Sequence, residues 1–255
     1  MLPVLWLAGA HLPRGWRAWG WACAISVGNV VLTLAGIAEG TRLAGAAIAS
    51  VLLNSAPFFA ALFARLWLHE QLTRRQALGL LVGFAGILMI VASQHGSSGS
   101  DVGIGILVCL SGALGWAAAG LAMRYLSTRQ PSFDVYGAST AQFLCGGVLL
   151  LPYLIVIRPT ATDWSSPELW ASLAFLVVGA QVVTYVGFYV ALSHWSSARV
   201  FSWTFLAPAV AVGIEAMQGN LPGVATTAGL VVVILGVSLV TRTRQRGYPG
   251  ILEEE

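Results

Sequence analysis

Amides, hydroxyls and aromatic rings recur at helical spacing inside runs that are otherwise apolar. Ser26, Asn29 and Thr33 fall on one helical face, Ser50, Asn54 and Pro57 on another, and Gln181, Thr184, Tyr185 and Phe188 form a third stripe. Trp203 and Thr204 stand just before Pro208. Trp116, Tyr185, Tyr189 and Trp203 lie within their runs, whereas the other tryptophans lie nearer run ends, where they suit an interfacial belt. A polar group in hydrocarbon is costly unless it finds a partner, so these stripes are expected to point inward. The chemistry open to them is binding: amides can hold the polar head of a small molecule while rings stack on its apolar part. The substrate-binding candidates are therefore Asn29, Asn54, Trp116, Gln181, Tyr185, Trp203 and Thr204, with Gln142 a further amide. Hydrogen bonding from helix to helix is the alternative use of the same groups.

Bond-making chemistry finds no such support. The sequence contains no His-Glu-x-x-His or Gly-x-Ser-x-Gly pattern and no acidic dyad within a run, so no enzyme is expected. His11, His69, His95 and His194 lie at or near run ends without metal-site spacing. Cys23, Cys109 and Cys145 sit inside apolar runs, where cysteine behaves as a small hydrophobe, and no disulfide or redox site is expected. No cofactor or metal is predicted. The basic residues are scattered singly rather than gathered in a patch, which argues against a nucleic-acid partner despite a net charge of +3.

The elements that must carry these side chains are membrane helices. Of the 255 residues, 57% are hydrophobic and 9% charged, and the mean hydropathy is +0.80. That is too little polar surface to coat a water-soluble domain. Continuous rather than alternating apolar runs favour helices over a β-barrel. Full spans are predicted at 18–38, 43–68, 75–92, 102–126, 133–157, 169–194, 198–217 and 221–241, after a fragment at 2–10. The fold class expected is an all-α polytopic membrane protein. The chain has no lysine, and alternate connectors hold eleven of its thirteen arginines, leaving Arg42 and Arg158 opposite. That bias places the C-terminus in the cytoplasm and the Gly-Ser stretch at 93–101 outside. Glu39 and Glu215 then lie near external ends, and Glu70 and Arg124 near cytoplasmic ends. Only Glu215 is placed to couple transport to protons. Pro57 and Pro208 are hinge candidates, since each removes a backbone donor and is expected to free the carbonyl of Leu53 or Thr204.

The sequence repeats itself. An offset of 151 residues aligns Trp19 with Trp170, Gly28 with Gly179, Thr33 with Thr184, Gly36 with Gly187, Ala47 with Ala198 and Pro57 with Pro208. An offset of 150 then pairs Gly79 with Gly229 and Gly86 with Gly236, while Leu2-Pro3 meets Leu151-Pro152 at 149. The organisation expected is a first repeat at 1–92, N-terminally incomplete, a linker at 93–101, a second repeat at 102–242 and a tail at 243–255. Five spans per copy is odd, so successive copies insert upside down, giving an inverted repeat of two five-helix units. The span holding Gly115-Trp116 has no first-copy partner, so the first helix and most of the second of a ten-helix protein are expected to be missing from the chain.

The run Ala49-Ser50, Asn54, Pro57, His69-Glu70, Leu72-Thr73, followed by Gly79 and Gly86, resembles the EamA repeat of the drug/metabolite transporter superfamily. The resemblance spans Leu2 to Arg242 and is weaker in the second copy, where Gln218-Gly219-Asn220 replaces the acidic corner. It implies a ten-helix inverted-repeat fold with a central cavity lined mainly by the first four helices of each repeat and with fifth helices at the periphery. It also implies transport of small metabolites, often amino-acid export. The function expected is an exporter in the bacterial inner membrane, working by alternating access around a midplane cavity. Its partners would be a small-molecule substrate and the lipid bilayer, and it would act as a monomer or homodimer. Proton-coupled drug or cation efflux and a non-transporting membrane scaffold are the alternatives.

Overall fold

A computed structural model describes residues 11–92, 101–130, 133–157, 165–207, 210, 213, 217 and 223–242. All regular structure among them is helical. Among the described residues, seven helices are long and apolar enough to cross a membrane: Trp16–Ala44, Ile48–Trp67, Arg74–Ala92, Val102–Arg129, Val135–Tyr153, Pro167–His194 and Val224–Thr241. The polytopic all-α expectation is thus met. The eighth expected span, 198–217, is described only in part, and the fragment at 2–10, the Gly-Ser linker and the tail at 243–255 lie outside the described residues.

The first span consists of α1 (Trp16–Ser26), a π-helical segment (Val27–Leu32) and α2 (Thr33–Ala44). Gly45, at φ 87°, ends it in a conformation that suits glycine and turns the chain into α3 (Ala46–Leu53) and α4 (Ala56–Trp67). There follow α5 (Arg74–Ala92), α6 (Val102–Arg129) and α7 (Val135–Ile157). The next span repeats the plan of the first, with α8 (Pro167–Phe175), a π-helical segment (Leu176–Val183) and α9 (Thr184–His194). Then come α10 (Ser197–Ser202), a 3-10 turn (Trp203–Phe205) and α11 (Val224–Thr241).

Small residues decide where helices meet. A Cβ on Gly28 would lie 2.5 Å from the Gly115 carbonyl oxygen, and one on Gly36 would lie 3.1 Å from the Gly112 Cα, so the first span and α6 cross backbone to backbone. The fifth helix of each copy does the same with the other. Gly79 faces the Gly236 carbonyl and Gly86 that of Gly229, each within 2.8 Å of where a Cβ would be. The glycine faces of α5 and α11 are therefore spent on contact within the chain.

Pro57 does not kink a continuous helix, as the sequence had suggested. The chain breaks two residues earlier, at a turn through Asn54 and Ser55, and Pro57 falls in the first turn of α4. A proline is tolerated there because the first-turn N–H has no helical acceptor. The turn is closed locally, where the carbonyls of Ser50 and Leu52 accept the backbone N–H of Asn54 and Ser55, each at 3.1 Å, and a side chain besides. Asn54 Nδ2 donates to the Ser50 carbonyl at 2.8 Å and Ser55 Oγ to that of Leu52 at 2.5 Å. Pro208, the other hinge candidate, lies outside the described residues.

Candidate functional site

The two ends of the bundle differ in chemistry. One end gathers the starts or finishes of α1, α4, α6, α9 and α10 and carries most of the arginines; the other holds Glu39, Arg42 and Gly45. One to two helical turns in from the arginine-rich ends of α7 and α9, three polar side chains converge in the interior. Asn29, held in the first π segment, donates from Nδ2 to Tyr189 Oη at 3.2 Å. Gln142 of α7 donates from Nε2 to the same oxygen at 2.9 Å, and the phenol lies 3.1 Å from Gln142 Oε1, to which it can donate. All three residues are buried, and they join both sequence copies.

Around this network the polar supply exceeds the pairing. Among the described residues Ser26 Oγ, Asn29 Oδ1, Ser139 Oγ and Trp116 Nε1 are buried without a hydrogen-bond partner. Leaving such groups unmet costs about 1–3 kcal/mol each. They comprise an acceptor, an N–H donor and two hydroxyls that can do either, a set that suits a ligand with both kinds of group. Rings form the adjoining wall. Trp116 stacks on Phe188 at 5.6 Å between centroids, Phe201 lies 5.1 Å from Phe188 and 5.3 Å from Trp116, and Tyr185 lies 5.2 Å from Phe143.

The π segments explain how Asn29 reaches this place. A π turn widens the helix and lets the Thr33 hydroxyl donate to the Gly28 carbonyl at 3.0 Å, five residues back. In the second copy Thr184 donates to the Gly179 carbonyl, also at 3.0 Å. The aligned pairs noted in the sequence thus make the same bond in the same kind of turn.

Below the network, at the arginine-rich end, lies an ion pair. Arg124 Nε is 2.5 Å from Glu70 Oε1, with side chains only 6% and 10% exposed. Arg124 Nη1 also donates to the carbonyls of Leu192 and Trp195 at the C-terminus of α9. Glu70 accepts from the Ser197 backbone N–H at 3.1 Å and from its hydroxyl at 3.2 Å, at the start of α10. The cation thus caps the end of one helix and the anion the start of the next, each with the favourable sign. His69, at φ 54°, takes the left-handed conformation that ends α4 and delivers Glu70.

The remaining candidates fall elsewhere. Tyr185 and Trp116 join the rings. Asn54 is spent on its own helix, Thr204 donates to the Phe201 carbonyl at 2.7 Å, and Trp203 is 51% exposed and outside the ring cluster. The side chain of Gln181 and the whole of Glu215 lie outside what the structure describes. Sequence reasoning placed Phe188 on a stripe but passed over Phe201, which looks like an ordinary apolar residue, and left Glu70 and Arg124 unpaired. A signal for the pair existed: Arg124 stands more than a turn inside its helix, where a guanidinium needs a partner. The sulfurs of Cys23 and Cys145 lie 2.9 Å apart between α1 and α7.

Comparison with known proteins gives a consistent picture. The sequence pattern of the EamA-like transporter family matches residues 1–92 and 103–242. The chain is 25% identical over 242 residues to the uncharacterised transporter YvbV of Bacillus subtilis, covering 94% of this chain and 77% of that protein. It is 28% identical over 207 residues to the pseudopaline exporter CntI of Pseudomonas aeruginosa, covering 77% of this chain and 66% of that one. One protein crystal structure superposes with a TM-score of 0.79 at 17% identity, covering 94% of this chain and 81% of that chain, a likeness of fold alone.

Proposed function

We propose, from the premise that the chain belongs to the EamA-like transporter family, that it exports small metabolites with amino acids as the leading class. Multi-pass membrane residence and transport follow from the family; substrate, direction and mechanism are our reading. The observation that carries it is the buried Asn29–Tyr189–Gln142 network with its unmet donors and acceptor beside a wall of rings. A neutral site with both donors and acceptors suits a zwitterionic head, and rings suit an apolar or aromatic side chain.

Alternating access fits the placement of the ion pair. Tyr189 and Leu192 are three residues apart on α9, so the helix that carries the phenol also carries a carbonyl held by Arg124. Breaking the Glu70–Arg124 contact would free the ends of α9 and α10 together and open the bundle on that side. With the arginine-rich end in the cytoplasm, the pair acts as an inner gate. The name of the pseudopaline exporter supports the outward direction.

The test is counterflow in proteoliposomes against a panel of amino acids, nucleosides and organic cations. Saturable exchange of amino acids, weakened in Tyr189→Phe, is the expected result. Exchange of cations alone would replace amino acids with the drug-efflux reading, and absence of any exchange across the panel would overturn the substrate class.

A further inference from the structure

Where the first span and α6 cross at Gly28 and Gly115, the helices touch; towards the arginine-rich end they separate. The gap is a cleft of about 590 Å³ walled by α1, α4 and α6, with Trp21 and Ala24, Leu66 and Trp67, and Ala122 and Tyr125 among its lining. The sequence explains why no side chain fills it. Apart from the buried Ile25, the facing positions are alanines and a glycine, and the other larger residues include three exposed ones, Trp21 at 45%, Trp67 at 46% and Leu66 at 58%.

The cleft is separate from the polar network. Ala118, Ala122 and Tyr125 share the face of α6 opposite Trp116. It is apolar, within the range of about 300–1,000 Å³ that holds a small ligand, and its aromatic rim stands at the depth where tryptophan and tyrosine mark the membrane interface.

Charge at the rim identifies the occupant. Arg17 stands one turn before Trp21 and Arg129 one turn after Tyr125, each near the lining face of its helix, and Arg65 precedes Leu66 near the end of α4, so each of the three helices carries a guanidinium at that end. Arg17 lies over the Trp16 ring at 5.6 Å. Arg129 lies over the Tyr125 ring at 5.5 Å. All three arginines are exposed, and among the described residues none has a carboxylate within 4.0 Å. Three cations without a carboxylate partner among the described residues, at the ends of the helices that wall an apolar cleft, match a molecule with a hydrocarbon chain and an anionic head.

We propose that this cleft binds an anionic phospholipid, with one acyl chain between α1, α4 and α6 and the phosphate held by Arg17, Arg65 and Arg129. The chain restores the dispersion contacts that the small residues leave unmade, and the arginines supply the headgroup preference. The lipid thereby props apart the helices that carry Asn29 and Trp116, tying the bilayer to the transport site without entering it.

The test is native mass spectrometry of the full chain, delipidated in mild detergent and titrated with phosphatidylglycerol or with phosphatidylcholine of the same acyl chains. One tight phosphatidylglycerol adduct is expected, favoured over phosphatidylcholine. About fivefold should be lost per arginine, and on the order of a hundredfold in Arg17→Gln/Arg65→Gln/Arg129→Gln. Arg242→Gln, beyond a helix that does not line the cleft, should bind as the wild type does. Ala122→Trp, or the milder Ala118→Leu, should displace the chain and lower binding of either lipid. Equal binding of both lipids by the wild type, or phosphatidylglycerol binding unchanged in the arginine and cleft-filling variants, overturns the proposal. So does a dimer that Ala122→Trp disperses while lipid binding persists.

Discussion

Glu70 and Arg124 lie in different sequence copies, yet their side chains meet at 2.5 Å in a nearly dry setting and close the gap between α9 and α10. Removing one partner leaves the other charge buried and alone. Glu70→Gln and Arg124→Leu are each expected to lower stability by about 3–5 kcal/mol. The double variant should lose less than the sum. Thermal unfolding in detergent, arranged as a double-mutant cycle, reads the coupling; additive losses would show that the pair is not a unit.

Transport should report on the same contact. If the pair is the inner gate, Glu70→Gln shifts the protein towards the state open at the arginine-rich end. Accessibility of a cysteine placed at Ala64, buried one turn above the pair on α4, should rise from that side in a membrane-impermeant labelling assay. Unchanged labelling in a folded variant would remove the gating role.

Tyr189→Phe deletes the oxygen that receives both amides and leaves two buried donors unmet. A rise in KM of about tenfold is expected if the network orders the substrate head. A loss of thermal stability with KM unchanged would instead assign the network to helix packing.

Glycines of the two copies should differ in tolerance although Gly28 and Gly187 both belong to the aligned series. Gly28→Ala places a methyl group 2.5 Å from the Gly115 carbonyl oxygen, whereas a Cβ at Gly187 meets nothing within 4 Å among the described residues. Expression and melting temperature should fall for Gly28→Ala. For Gly187→Ala they should hold or rise slightly, by up to about 1 kcal/mol in helix propensity.

The sequence disclosed the spans, the repeat and the alternation of arginines because each is a long-range regularity of composition. It also marked Asn29, Trp116 and Tyr185, whose polarity or size is conspicuous in an apolar run. It could not mark what depends on which helices become neighbours. Asn54 looked like a site residue and is consumed by the carbonyl of Ser50 one turn back. Trp203 stands within its run but is exposed, because two residues on from Phe201 it falls on the opposite side of the helix from the rings formed by Phe201 and Phe188. Glu70 and Arg124 were read as separate end charges, since 54 residues part them in the chain and only the fold brings them together.

The shared π turns carry a historical implication. A π turn is one residue added to a helix without breaking it, and such additions tend to persist at functional places. Two additions at matching positions, each plugged by a threonine bonding five residues back, are most simply one event that preceded the doubling of an ancestral gene. The copies have since diverged until few side chains agree, yet both kept the surplus residue. Deleting it from either would rotate everything beyond by about 100°. What descended through duplication was therefore a phase offset, an angular correction that lets one helix serve two surfaces along its length.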